Sequence, residues 1–330
     1  MTKGLARAIG GSILHSLLFR SMRYCWYRND EKQHFHFVLA HPDDELAILK
    51  FLKVIANNPY LGASFTLISN GTQGYEPGMA KDRNEFGRLR VKEINSSLGS
   101  LGFNANVESL LDEREIYESL IDGNASCGRL IDMLQKAERH IAKEVVAKKA
   151  DAVFVTDFAG GNIVHDIANF IVCSAARRIG FGHVIEFWQY FLDSPSNSVV
   201  VGDLGYDDRG RSLRESSKGK YDVEIPALGI HKGRAFLSLI DIIDALKHKK
   251  RFYASQEKTL NRLTHQTVLS YGVDAPRFRE IDTCRMDHTV RPDHGVLYER
   301  AGWRLRGLER LPDFNDFKNL VQAYRFQVSY

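Results

Sequence analysis

The sequence has no C-x-x-C pair, and its four cysteines, Cys25, Cys127, Cys173 and Cys284, lie far apart. That spacing argues against a zinc ribbon and suits reduced thiols. No G-x-G-x-x-G follows a strand-like run, so the glycine turn that cradles a dinucleotide pyrophosphate is missing. No stripe of Lys and Arg alternates with aromatics, and the net charge is only +4 with acids interspersed throughout, so nucleic acid is not an expected partner. Near the N-terminus the longest stretch without Lys or Arg, Ala8 to Phe19, is twelve residues, too short to span a bilayer. Internal repeats and low-complexity tracts are also absent.

What remains is an ordinary globular composition, 44% hydrophobic and 26% charged over 330 residues, enough for one large domain with additions. Leu5, Ile9, Ile13 and Leu17 keep helical spacing, so residues 1–30 are read as an N-terminal amphipathic helix. It either docks on the main domain or lies on a membrane surface. Arg20 and Arg23 follow the apolar run with no small-x-small cleavage site, against an export signal, so the expected location is cytoplasmic or membrane-peripheral.

Strand-like and helix-like runs then alternate. His34–Ala40, Ala63–Asn70, Ala152–Thr156 and His183–Phe187 are rich in β-formers, while Arg83–Leu101, Cys127–Lys149 and His165–Ile179 carry helical spacing. This rhythm predicts an α/β fold, Rossmann-like, with a mostly parallel sheet and helices on both faces. Residues 31–195 are read as its core and 196–330 as a region completing the same domain. That region has a polar loop over Asp203–Tyr221, a helix over Phe236–Arg262 and an irregular C-terminal extension from Ala275.

The first strand-like run ends at Ala40 and is followed by His41, Pro42, Asp43, Asp44 and Glu45. A helix start tolerates one or two acids through capping and the helix dipole, but it does not call for the histidine. An imidazole and a carboxylate three residues apart in a tight turn can grip one cation together. After Ala152–Thr156, a Gly-Gly turn leads to His165 at another helix start, at the topologically matching strand end. His41, Asp44 and His165 would form an open, facial metal site with room for water and substrate.

These residues carry a family resemblance. AHPDDE (Ala40–Glu45), SNGTQG (Ser69–Gly74), RLRVKEINSSLGSLGF (Arg88–Phe103) and GGNIVHD (Gly160–Asp166) together resemble the PIG-L / LmbE-like zinc-dependent N-deacetylases. The resemblance implies one Zn2+ per chain held by His41, Asp44 and His165, with Asp43 as general base and Arg90 contacting substrate. Glu45 would support a ligand or cap the helix. Many members have a His-Pro-Asp-His run where this chain reads Asn162, Ile163, Val164 and His165. In relatives the first of those histidines lies near the reacting carbonyl. Asn162 can donate a hydrogen bond there but cannot transfer a proton. RFYASQEKTL (Arg251–Leu260) and RPDHGVLYERAGW (Arg291–Trp303) resemble later family segments more loosely, and they make His294 a candidate electrophile or general acid. His231, His265 and His288 have weaker claims.

The implied activity is removal of an N-acetyl group from an N-acetylglucosamine-type sugar or glycoconjugate, small or lipid-linked. Trp188, Tyr190 and Tyr206 are candidates for stacking on such a sugar. The alternative is a non-catalytic sugar- or metal-binding member of the same fold, with activity lost through Asn162.

Overall fold

The computed structural model describes residues 32–75, 77–122, 124–158, 162–187, 239–256, 278–289 and 312–328. Its centre is a six-stranded sheet in the order β3-β2-β1-β4-β5-β6. The strands are β1 (Gln33–Leu39), β2 (Leu61–Ser69), β3 (Ser109–Leu111), β4 (Ala152–Thr156), β5 (Val184–Phe187) and β6 (Phe278–Ile281). All pairings are parallel except β5 with β6, which is antiparallel.

The central strands are apolar on both faces, as a sheet covered by helices on each side requires. Phe35, Phe37, Leu39, Phe154, Ile185 and Phe187 build one core layer against α1 (Leu49–Ala56) and α2 (Arg83–Ser100). Val38, Ala40, Val153, Val155 and Val184 face the other layer. There they meet α3 (Glu113–Asp122), α4 (Asn124–Ala147), α5 (Ile163–Ile179) and α7 (Phe314–Val328). His36 interrupts this second face without cost in unpaired polarity: its ring nitrogens lie 2.7 Å from Ser64 Oγ and 3.1 Å from Thr66 Oγ1 on the adjacent strand. α6 (Leu239–Phe252) packs across α2 and runs into a 3-10 turn at Ala254–Gln256. Among the described residues, no helix is long and apolar enough to cross a membrane.

Two outcomes differ from the sequence expectation. The acids after β1, read as a helix start, open a 3-10 turn over Asp44–Ile48, and the α-helix begins at Leu49. The tail from Ala275, expected to be irregular, contributes an edge strand and the helix α7. Phe314, Phe317 and Tyr324 of this helix are core residues, with Phe317 and Tyr324 buried against Phe158 and Phe170, while Phe326 is exposed. The N-terminal helix, the loop Asp203–Tyr221, Trp188, Tyr190, Tyr206, His231, His265 and His294 lie outside the described residues.

His288 fixes the tail to the sheet. Its ring is buried between Phe158 and Phe170, with Nε2 2.8 Å from Asn169 Oδ1, and Nδ1 has no hydrogen-bond partner among the described residues. Asn169 in turn donates to the Thr156 carbonyl and to Glu186. A second ring proton would have no acceptor, and burial, with Arg177 and Arg325 adding repulsion, lowers the imidazole from 6.5 to about 3. The unfolded chain therefore takes up this proton first, and stability is lost as pH falls below the unfolded value. Between about pH 6.5 and about pH 4 this residue should remove about 3 kcal/mol. Urea midpoints of His288→Gln should consequently fall less steeply over that range than those of the unmodified protein; parallel slopes would show that His288 is not the acid-sensitive group.

Candidate metal centre

The strand order reverses direction between β1 and β4, since β2 and β3 lie to one side of β1 while β4 and β5 lie to the other. Crevices at such switch points, outside the carboxyl ends of the strands, are where open α/β sheets bind ligands. His41 to Glu45 leave the end of β1 and His165 sits in the first turn of α5, after β4, so both flank this crevice.

His41, Asp44 and His165 each offer one ligand atom, and these atoms lie within 4.8 Å of one another. The carboxylate of Asp44 is used asymmetrically. Its Oδ2 accepts from the backbone N–H groups of Ala40 and His41 at 2.7 and 2.9 Å, which ties it into the turn. Its Oδ1 faces the imidazoles, 4.0 Å from His41 Nδ1 and 3.8 Å from His165 Nε2. The two ring nitrogens themselves are 3.1 Å apart. At that separation one ring donates an N–H to the lone pair of the other, and a cation in place of that proton would be shared by both nitrogens and the buried carboxylate oxygen beside them. The donor set of two nitrogens and one carboxylate oxygen suits a divalent zinc-like cation and leaves its remaining positions open. Burial and the charge of His41 hold the His165 imidazole well below 6.5, so it presents a neutral ring, the form that binds metal.

The other nitrogen of His41, Nε2, is 3.0 Å from Glu113 Oε1. Glu113 is the first residue of α3 and is almost completely buried. Its second oxygen accepts from the Gln73 backbone N–H at 2.8 Å, and its own N–H donates to Asn70 Oδ1. Burial works against charge on both partners, but each outweighs that penalty for the other: the His41 imidazole is raised and the Glu113 carboxyl is lowered. Nothing in the sequence distinguishes Glu113 from the three glutamates and aspartates around it in LLDEREIYE.

Asp43 points elsewhere. Its Oδ1 accepts from Arg90 Nη2 at 2.7 Å, and Arg90 Nη1 donates to the Gly71 carbonyl at 2.7 Å. Arg90, expected to contact substrate, is only 4% exposed. Gly71 makes this approach feasible, because it adopts φ +66 and a Cβ there would fall 2.0 Å from Arg90 Nη1. The polar segment SNGTQG is thus a scaffold: Asn70 and Gln73 hold Glu113 while Gly71 holds Arg90. Lys249 of α6 brings a second cation whose charge is felt at Asp43; burial lowers its ammonium to about 8 against that attraction.

Glu45 turns into the protein. Its Oε1 accepts from Ser97 Oγ at 2.7 Å and from the Tyr253 hydroxyl, while Oε2 has no partner among the described residues. Burial raises its carboxyl to about 7, opposed by those two donors. Ser97 also meets His248 Nε2 at 2.7 Å. One helical turn away, Glu93 accepts from Ser255 through N–H and Oγ at 2.9 and 2.5 Å. Tyr253 and Ser255 belong to the Tyr-x-Ser-Gln run, so that run locks α6 onto α2 behind the crevice. Asn162 is the N-cap residue of α5, buried, with a side chain that makes no capping hydrogen bond.

Comparison with known proteins follows this geometry. Residues 36–176 match the family model described as PIG-L, GlcNAc-PI de-N-acetylase. No curated protein sequence matches the chain. Among solved structures, the chain resembles an N,N'-diacetylchitobiose deacetylase from Pyrococcus horikoshii complexed with its inhibitor MPG, at 16% identity and a TM-score of 0.43, covering 82% of this chain and 93% of that one. It also resembles a deacetylase of the teicoplanin biosynthesis pathway, at 15% identity and a TM-score of 0.48, covering 76% and 99%. A zinc-inhibited form of teicoplanin deacetylase Orf2 aligns at 13% identity and a TM-score of 0.45, covering 74% and 96%. The matched segment, residues 36–176, spans both strand ends of the crevice and all three candidate ligands, so the similarity to the PIG-L family model falls on the part of the chain that builds this centre.

Proposed function

We propose that this protein is a metal-dependent hydrolase that removes an N-acetyl group from a glucosamine-type sugar. The observation that carries the reading is the convergence of His41, Asp44 and His165 within 4.8 Å, with Asp43 beside them and bonded instead to Arg90. The match of residues 36–176 to the PIG-L family model supports the N-acetyl sugar as substrate class. Zinc is the expected ion, from the two-nitrogen, one-oxygen donor set.

A divalent ion held by His41, Asp44 and His165 would supply a water acidified toward neutral pH and polarisation of the acyl oxygen. The remaining tasks fall to the chain. Asp43 takes the water proton as general base, with Arg90 fixing its carboxylate in one orientation. Asn162 stands at the opposite wall with a carboxamide that its helix does not use, and its N–H donates to the charge that develops on the acyl oxygen. Such a donor is typically worth about 3 kcal/mol. Asp43, carrying the proton, returns it to the departing amine. His294, outside the described residues, is a second proposed donor for that step.

The reading that catalysis has been lost at Asn162 predicts metal without turnover. Purified protein should carry about one zinc per chain, and His41→Ala or His165→Ala should lose it. Full zinc retention in both variants would remove the site. Asp43→Asn should keep the metal and lower amine release from N-acetylglucosamine conjugates by about 10²- to 10⁴-fold, the usual range for a missing general base. An unchanged rate would exclude Asp43 as base, and no release by the unmodified protein across a panel of such conjugates would favour the non-catalytic reading.

A further inference from the structure

A histidine that binds metal through Nδ1 must keep its proton on Nε2, and an isolated imidazole has no strong reason to choose that tautomer. His41 faces His165 Nε2 and Asp44 Oδ1 with Nδ1, so this requirement applies to it directly. The group on its other side, Glu113, is an anion with acceptors only. At 3.0 Å it can engage Nε2 only if that nitrogen carries the proton.

We propose that Glu113 is the positioning residue of the centre: it fixes the ring angle and Nε2–H tautomer of His41, so that Nδ1 presents its lone pair to the metal. The inference rests on the metal-site reading above and deepens it. Glu113 is suited to the task because it cannot turn away. One carboxylate oxygen is bound to His41 and the other to the Gln73 N–H at 2.8 Å, while its backbone is tied to Asn70. Its place in the first turn of α3 sets the positive end of the helix dipole against the carboxylate, which stabilises the anion without consuming a neighbouring cation. The negative charge also raises the basicity of Nδ1 through the ring. Three segments far apart in sequence thus meet at one imidazole: the turn after β1, the turn after β2 and the start of α3.

The test measures metal affinity apart from turnover. Apparent zinc dissociation constants of the full chain, obtained by chelator competition at neutral pH, should rise about 10- to 100-fold in Glu113→Ala, as for other outer partners of metal-bound histidines. Glu113→Gln, which keeps an acceptor oxygen but loses the charge, should show a smaller rise. Wild-type affinity in both variants would overturn the assignment. Long-range proton–nitrogen spectra of the zinc-loaded, ¹⁵N-labelled protein supply a readout that fold stability alone does not move. His41 should show Nδ1 as the metal-bound nitrogen and a proton on Nε2 protected from exchange, with that protection weakened in Glu113→Gln and lost in Glu113→Ala. Coordination through Nε2 in the unmodified protein would overturn the proposal even if Glu113→Ala does not fold. Failure of the deacetylase reading would appear as zinc bound with no amine released, which leaves these measurements intact.

Discussion

Three consecutive carboxylates, Asp43, Asp44 and Glu45, are buried at the end of β1, and the architecture of this side of the molecule follows from the need to satisfy each of them separately. Buried charge is tolerated only with a partner, and like charges in adjacent residues cannot share one. The 3-10 turn that begins at Asp44 sends the three side chains in different directions. Asp43 meets the Arg90 guanidinium, Asp44 meets two backbone N–H groups and the pair of imidazoles, and Glu45 meets two hydroxyls. The solutions differ in kind. Asp43 has a full cation as its partner, whereas hydroxyls oppose burial only in part at Glu45, so its carboxyl is raised to about 7.

Helix α2 is shaped by this demand. It is weakly amphipathic, yet Arg90, Glu93 and Ser97, spaced three and four residues apart, form a buried polar stripe on one face. Arg90 reaches forward to Asp43, Ser97 reaches Glu45, and Glu93 captures the Ser255 turn. The same stripe therefore serves the candidate base at one end and anchors a segment some 160 residues later in the chain at the other, as the separation of 162 between Glu93 and Ser255 shows. Two links, Tyr253 to Glu45 and Ser255 to Glu93, tie the turn after α6 to the β1 turn and to α2.

The parts of this arrangement that were legible in the sequence are those carried by local pattern. β4 is a run of five apolar or β-branched residues with the same bounds in sequence and structure, and the strand ends that carry His41 and His165 follow from it and from β1. The acids of the turn stood out because helix capping explains only one or two of them. Glu113 was not legible, because its meaning comes from a partner 72 residues away and its own surroundings are an ordinary charged helix start. Tyr253 and Ser255 had been noticed only as a family-like run; their partners Glu45 and Glu93 lie 208 and 162 residues away. The tail helix α7 escaped notice for a related reason: its aromatics Phe317 and Tyr324 have a helical interval, but it is the distant Phe158 and Phe170 that give them a core to enter.

The two walls of the crevice are consequently unlike. The β1 side carries the charge: Asp43, Asp44, Arg90 and the His41–Glu113 pair all gather there. The β4 side, at the start of α5, offers a neutral imidazole from His165 and a carboxamide from Asn162. Proton uptake and anion stabilisation make opposite electrostatic demands, since a base needs to remain ionised while an oxyanion needs donors without competing negative charge. The proposed base and the proposed donor come from different walls, Asp43 from the β1 side and Asn162 from the start of α5, where Asp157 and Asp166 are also buried. On the proposed reading, asparagine at position 162 is compatible with the chemistry, because the task it would have is to donate a hydrogen bond, and a carboxamide N–H needs no titration to do so.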